Sequence, residues 1–140
     1  MLRRMMDDQP TAPSVAADVT ASSYRIFVRN LVVAASIGIH AHEKRQRGRL
    51  RVSAELEIAA ALPQADDFTE AVDYESIVAG IKRVAGTKHI NLVESFADQV
   101  ARLCLRDRRV RFVRVAVEKL DIYPEAESVG VVIERRRHAG

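Results

Sequence analysis

The stretch RLRVSAELEI (49–58) decides the fold. Leu50, Val52, Ala54, Leu56 and Ile58 alternate with Arg49, Arg51, Ser53, Glu55 and Glu57. A period of two with one aliphatic and one charged face reads as an antiparallel strand half-buried against a core. Upstream, YRIFVRNLVVAASIGI (24–39) is rich in β-branched and aromatic residues and reads as a first strand with an irregularity near Asn30. HAHEKRQRG (40–48), a polar loop closed by Gly48, joins the two.

Downstream the period changes. After the connector LPQADDFTEAV (62–72), the residues Tyr74, Ile77, Val78, Ile81, Val84 and Ala85 hold the spacing of one apolar helical stripe, with Asp73 as N-cap and Gly86 as terminator. A second helix is expected from Asn91, with the stripe Leu92, Val93, Phe96, Ala97, Val100, Leu103 and Cys104; Asn91 and Glu94 have capping-box spacing. Two more strands follow. In RVRFVRVAVEKLDIY (109–123) the inward series Val113, Val115, Val117 runs on to Lys119, while SVGVVIERR (128–136) reads as a strand buried on both faces or central in its sheet. The order ββααββ argues an α+β fold, a four-stranded antiparallel sheet with two helices on one face.

Composition bounds the rest. The chain has 140 residues, 48% hydrophobic and 29% charged, which fits one domain with a real core. Residues 1–22 lack any period and read as a disordered N-terminal tail, leaving 23–137 as the folded domain. No apolar run has the length of a membrane span, and the lone Cys104 fits a reducing compartment, so a cytoplasmic protein with no membrane partner is expected. The four histidines His40, His42, His89 and His138 have no zinc spacing, so no metal site is expected. The net charge of +3 and the basic runs KRQRGRLR (44–51), RDRRVR (106–111) and RRRH (135–138) raise the question of nucleic acid. With no Trp and 5% aromatic residues, there is no stacking platform, and Arg49 and Arg51 belong to the wet face of a strand; no nucleic-acid partner is expected.

Four residues stand out chemically, each with a plainer reading beside it. Lys119 sits in the inward phase of a valine series, where lysine is rare unless paired; near a strand end it can also snorkel to water. Tyr74 opens a helix on its apolar stripe, where an aromatic usually belongs to the core, yet its hydroxyl can reach a pocket. Glu94 is either a capping carboxylate or a bidentate acceptor for a paired N–H edge. Glu43, amid Lys44, Arg45 and Arg47, looks like an ordinary solvated loop carboxylate.

Taken together, GIHAHEKRQ (38–46), VDYESIV (72–78), NLVESFADQVARLCL (91–105) and VRVAVEKLDIYPEAESVGVVIERR (113–136) resemble the dihydroneopterin aldolase family. The resemblance implies the tunnelling fold, in which sheets join between subunits into a barrel, as a homotetramer or homo-octamer with active sites between subunits. It implies a metal-free, cofactor-free retro-aldol cleavage of a small pterin, 7,8-dihydroneopterin, to 6-hydroxymethyl-7,8-dihydropterin and glycolaldehyde in folate biosynthesis. Carried over residue by residue, Lys119 and Tyr74 match the catalytic pair, Tyr74 arriving from an adjacent subunit. Glu94, with Leu92 and Val93 of the same motif, matches the pterin anchor. Glu43 matches the carboxylate at the side-chain hydroxyls, and Asp73 a binding position beside the tyrosine. The sequence departs from the family at Leu120, where proline is usual after the lysine, and near Gly48, where a glutamine is common; the loop is also unusually basic. Two alternatives stand beside the aldolase. One is a 2′-epimerase of dihydroneopterin or its triphosphate, whose phosphates Arg45, Arg47 or Arg49 would meet; the other is a non-catalytic pterin-binding paralogue.

Overall fold

The computed structural model describes residues 23–138, so the expected tail at 1–22 lies outside the described residues. Four strands form one antiparallel sheet in the order β1 (Tyr24–Ala35), β2 (Gly48–Ile58), β3 (Val110–Lys119), β4 (Val129–Arg136). A short helix, α1 (Ala41–Arg45), lies between β1 and β2. Two longer ones, α2 (Tyr74–Thr87) and α3 (Val93–Cys104), lie between β2 and β3. Two 3-10 turns, Gln64–Asp66 and Phe68–Glu70, fill the connector. This is the α+β arrangement that the alternation of β2 and the two helical stripes predict.

The alternation becomes layers. Leu50, Val52, Leu56 and Ile58 of β2 are fully buried, facing the helices, and are matched across the ladder by Val117 against Val52, Val115 against Ala54 and Val113 against Leu56. Helix α2 packs on β1, and α3 on β3 and β4. Each such aliphatic side chain contributes roughly 1.5–3 kcal/mol through burial. The two helices meet where Gly80 has no side chain: a Cβ there would collide with the Leu103 methyls, so glycine lets Leu103 close the gap. On the other face, ion pairs such as Arg25–Glu55 and Arg51–Glu118 span neighbouring strands. The irregularity expected near Asn30 is a bulge, with φ of 60° at Asn30 and a register shift between Val28 and Leu31.

Five expectations need correction. The segment 40–48 is not simply a loop; it folds into α1 and buries Glu43. Helix α3 starts at Val93 rather than Asn91, and the Asn91–Glu94 capping box does not form. The reason is a competing bond. Ile90 pairs with Ile37, donating its N–H to the Ser36 carbonyl and accepting from Gly38 N–H, both at 3.0 Å, which holds the chain extended through Leu92. Helix α2 runs one residue past Gly86, because Arg47 reaches over from the link just before β2 to the Ala85 and Gly86 carbonyls and relieves the unpaired helix end. Tyr74 and Leu92 leave their stripes and are 56% and 49% exposed: Tyr74 opens α2 and Leu92 is the N-cap of α3, both beyond the core, with Ile77 and Phe96 the first buried residues. Finally, β4 is an edge strand, not a central one, and exposes Val129 and Val132.

Candidate active site

The C-terminal end of β3 places Lys119 opposite Leu50 at the start of β2 and Val129 at the start of β4. Its inward phase carries the side chain off the valine row toward α1. There Nζ donates to Glu43 Oε2 at 2.6 Å, with only 19% and 8% of the two side chains exposed. Glu43 Oε1 also accepts the His40 N–H at 3.1 Å. The carboxylate lies against Gly38, whose φ of 130° suits glycine, and a Cβ there would overlap it. The hydrogen bond from Lys119 is the main force holding the Glu43 carboxyl below its ordinary pKa; burial opposes it, and the His40 N–H and the lysine charge assist. The carboxylate is therefore ionised at neutral pH.

The pair opens on a cleft of about 130 Å³, also lined by Ile37, His42, Arg47, Arg49, Asp121 and Ile122. Arg49 is held by Asp121 (2.8–3.3 Å), and Arg47 by the carbonyls of Ala34, Ala85 and Gly86 (3.3–3.5 Å). The arginines considered for a triphosphate are thus engaged within the chain, apart from Arg45, which is exposed. The other basic runs are likewise tied down: Arg109 to Asp107 and the Glu70 carbonyl, Arg135 to Asp98, and Arg137 to the Leu105 and Val110 carbonyls.

The expected site residues divide between two ends of the molecule. The Ile37–Ile90 bridge brings the connection leading into α3 alongside the segment before α1, so the α3 N-terminus with Leu92, Val93 and the exposed Glu94 belongs to the Lys119 end. Tyr74 and Asp73 belong to the opposite end. Arg47 marks the C-terminus of α2 at the Lys119 end, and 14 helical residues at 1.5 Å each put Tyr74 about 20 Å from that terminus. Arg109, just before β3 begins, grips the Glu70 and Ala71 carbonyls there. Asp73 acts as the expected N-cap, accepting Ser76 N–H at 3.2 Å. Tyr74, with Phe68, Thr69 and Val72, lines an open hollow. One chain thus offers the ammonium–carboxylate pair and the Glu94 helix at one end, and an exposed phenol at the other.

The chain is similar to known proteins. Residues 26–134 match the family model FolB, dihydroneopterin aldolase. The chain belongs to the dihydroneopterin aldolase family. Solved structures of the family superpose on it. A FolB-type chain from Vibrio cholerae has a TM-score of 0.76 at 29% identity, covering 83% of this chain and 99% of that one. A Burkholderia dihydroneopterin aldolase bound to guanine has a TM-score of 0.73 at 30% identity, covering 83% and 93%. The Escherichia coli dihydroneopterin aldolase in complex with neopterin has a TM-score of 0.70 at 26% identity, covering 80% and 98%. The four-stranded sheet with its helices is the tunnelling fold of these aldolases. Among the described residues no helix is long and apolar enough to cross a membrane, and no group of three or more His, Cys, Asp and Glu is placed to hold a metal.

Sequence reasoning missed two features of this end. Glu43 looked solvated because its neighbours are charged, and only the fold shows it folded back under Gly38. His89, weighed in the sequence only as a zinc ligand, has an imidazole that bridges Ser36 and Gly38. Neither carries a local signal, since their partners lie 76 and about 50 residues away in the chain.

Proposed function

We propose that the protein is a dihydroneopterin aldolase, releasing glycolaldehyde from 7,8-dihydroneopterin in a site completed by a second copy of the chain. The observation that carries this reading is the Lys119–Glu43 pair, an ammonium drawn off an aliphatic strand into a cleft and held there by a buried carboxylate. The substrate brings its own electron sink, the C6=N5 imine. Lys119, acting through a water, favours the proton at N5. A base takes the proton of the 2′-hydroxyl and the C1′–C2′ bond breaks. Its electrons pass into C6=N5 as an enamine, and glycolaldehyde departs. Protonation at C1′ and loss of the N5 proton give the hydroxymethyl product. Tyr74 of the neighbouring subunit relays protons at the side chain, Glu43 meets its hydroxyls, and Glu94 with Leu92 and Val93 takes the pterin edge through paired N–H donors. Asp73 contributes by capping the helix that presents Tyr74. No Schiff base on lysine is involved.

Incubation of the purified protein with 7,8-dihydroneopterin, followed by chromatography, tests this. The expected products are 6-hydroxymethyl-7,8-dihydropterin and glycolaldehyde. Glu94→Gln is expected to lose pterin binding. Accumulation of the 2′-epimer with little glycolaldehyde identifies an epimerase, which needs the same enamine. Binding without turnover identifies a non-catalytic paralogue.

A further inference from the structure

His89 lies in the connection between α2 and α3, outside every residue assigned a role above. A carbonyl oxygen only accepts, so the short 2.7 Å contact with the Gly38 carbonyl fixes the ring proton on Nε2. In the neutral ring Nδ1 is then an acceptor, and the Ser36 hydroxyl donates to it at 2.6 Å. The same hydroxyl oxygen lies 3.3 Å from the Glu43 carbonyl oxygen. One imidazole therefore holds the residues on both sides of Ile37, whose backbone already pairs with Ile90 next door.

What it holds bears directly on the ion pair. Gly38 is the surface against which the Glu43 carboxylate rests. Turning the Gly38 peptide would move that surface, and with it the acceptor of the Lys119 ammonium. His89 also stands five positions before Glu94, in the strand-like segment that launches α3. It joins the segment leading to Glu94 to the segment leading to Glu43.

We propose that His89 is a positioning residue: through Gly38 and Ser36 it sets where Glu43 holds Lys119 relative to Glu94. This rests on the aldolase reading above. A small misplacement of such groups costs about 10- to 100-fold in rate, and that range is expected for kcat in His89→Ala. Because the effect passes through Glu43, it is expected to vanish when Glu43 is already gone. In a Glu43→Ala background, adding His89→Ala lowers kcat less than about 2-fold further, whereas independent effects multiply. Ser36→Ala, which removes one leg of the bridge and leaves the imidazole in place, is run through the same cycle, with a smaller loss and the same non-additivity expected.

Hydrogen exchange supplies a readout independent of turnover. In His89→Ala, peptides spanning 36–46 are expected to exchange at least about 10-fold faster while those of β2 stay protected. Multiplying rate losses in both cycles, or acceleration spread equally over β2, overturns the proposal. A wild-type protein that does not turn over dihydroneopterin sinks the aldolase reading instead, and the exchange experiment then decides the role of His89 alone.

Discussion

The two ends of the sheet are built on opposite terms. At the Lys119 end polar groups are answered within the chain: Lys119 by Glu43, Arg49 by Asp121, Arg47 by three carbonyls, His89 by Ser36 and Gly38. At the Tyr74 end large apolar groups stand in the open, with Phe68 86% and Tyr74 56% exposed. The first end is organised before any ligand arrives. The second resembles half of a contact, and it carries the residue that the proposed chemistry needs about 20 Å away. On the proposed reading, the Lys119 end of one copy has to meet the Tyr74 end of another.

The sharpest way to break this comparison is complementation between copies. Lys119→Ala and Tyr74→Phe are each expected to lose about 10²–10⁴ in kcat. Mixed oligomers formed by refolding the two together regain activity, up to about a quarter of wild type, the chance that one site draws both intact residues from different chains. No recovery would mean that the two ends never share a site. Next in size is a stability contrast between two phenylalanines. Phe96, fully buried under the sheet, is expected to cost about 3–5 kcal/mol on truncation to alanine, read from urea unfolding. Phe68→Ala is expected to change the unfolding of an isolated chain little and to weaken self-association, read by analytical ultracentrifugation.

The smallest expected effect concerns acid. Hydrogen bonds from Arg51, and then from Ser128, hold the Glu118 carboxyl down at about 2, against 4.5 for an ordinary glutamate. A depressed carboxylate stabilises the fold fully above pH 4.5, and its contribution is lost as pH falls toward 2. Glu118→Gln is expected to remove about 1 kcal/mol at neutral pH and to flatten that acid limb, measured by unfolding at several pH values. Glu43, also depressed, adds stability with the same sign. An acid limb unchanged in the Glu118→Gln protein would refute the assignment to this residue.

Much of this was readable from the chain because it depends on neighbours in sequence. The alternation around Leu50–Ile58, the Asp73 cap and the bulge at Asn30 are all local, and the structure contains them. Lys119 announced itself by breaking a valine series. Cys104, the last residue of the apolar stripe of α3, is buried, and burial pushes its thiol up to about 12. The errors arose where distant partners intervened. Ile37 claimed the backbone that Asn91 and Glu94 needed for a cap, Arg47 prolonged α2 beyond Gly86, and the last strand was read as central because its apolar run does not reveal which side lacks a neighbour. The burial of Glu43 depends on Gly38 and Lys119 together, a conjunction that no window of sequence contains.

Asn30 has a consequence for how chains add up. Its positive φ divides the free edge of β1 into two short runs, 24–28 and 31–35. A foreign strand laid along that edge zips up one run and then meets a kink that only a matching insertion can follow. Sliding by two residues, the usual route from a paired edge to a growing fibre, carries the kink onto backbone that does not fit it. A single dihedral angle thus guards the sheet against open-ended polymerisation while leaving room for a partner cut to its shape.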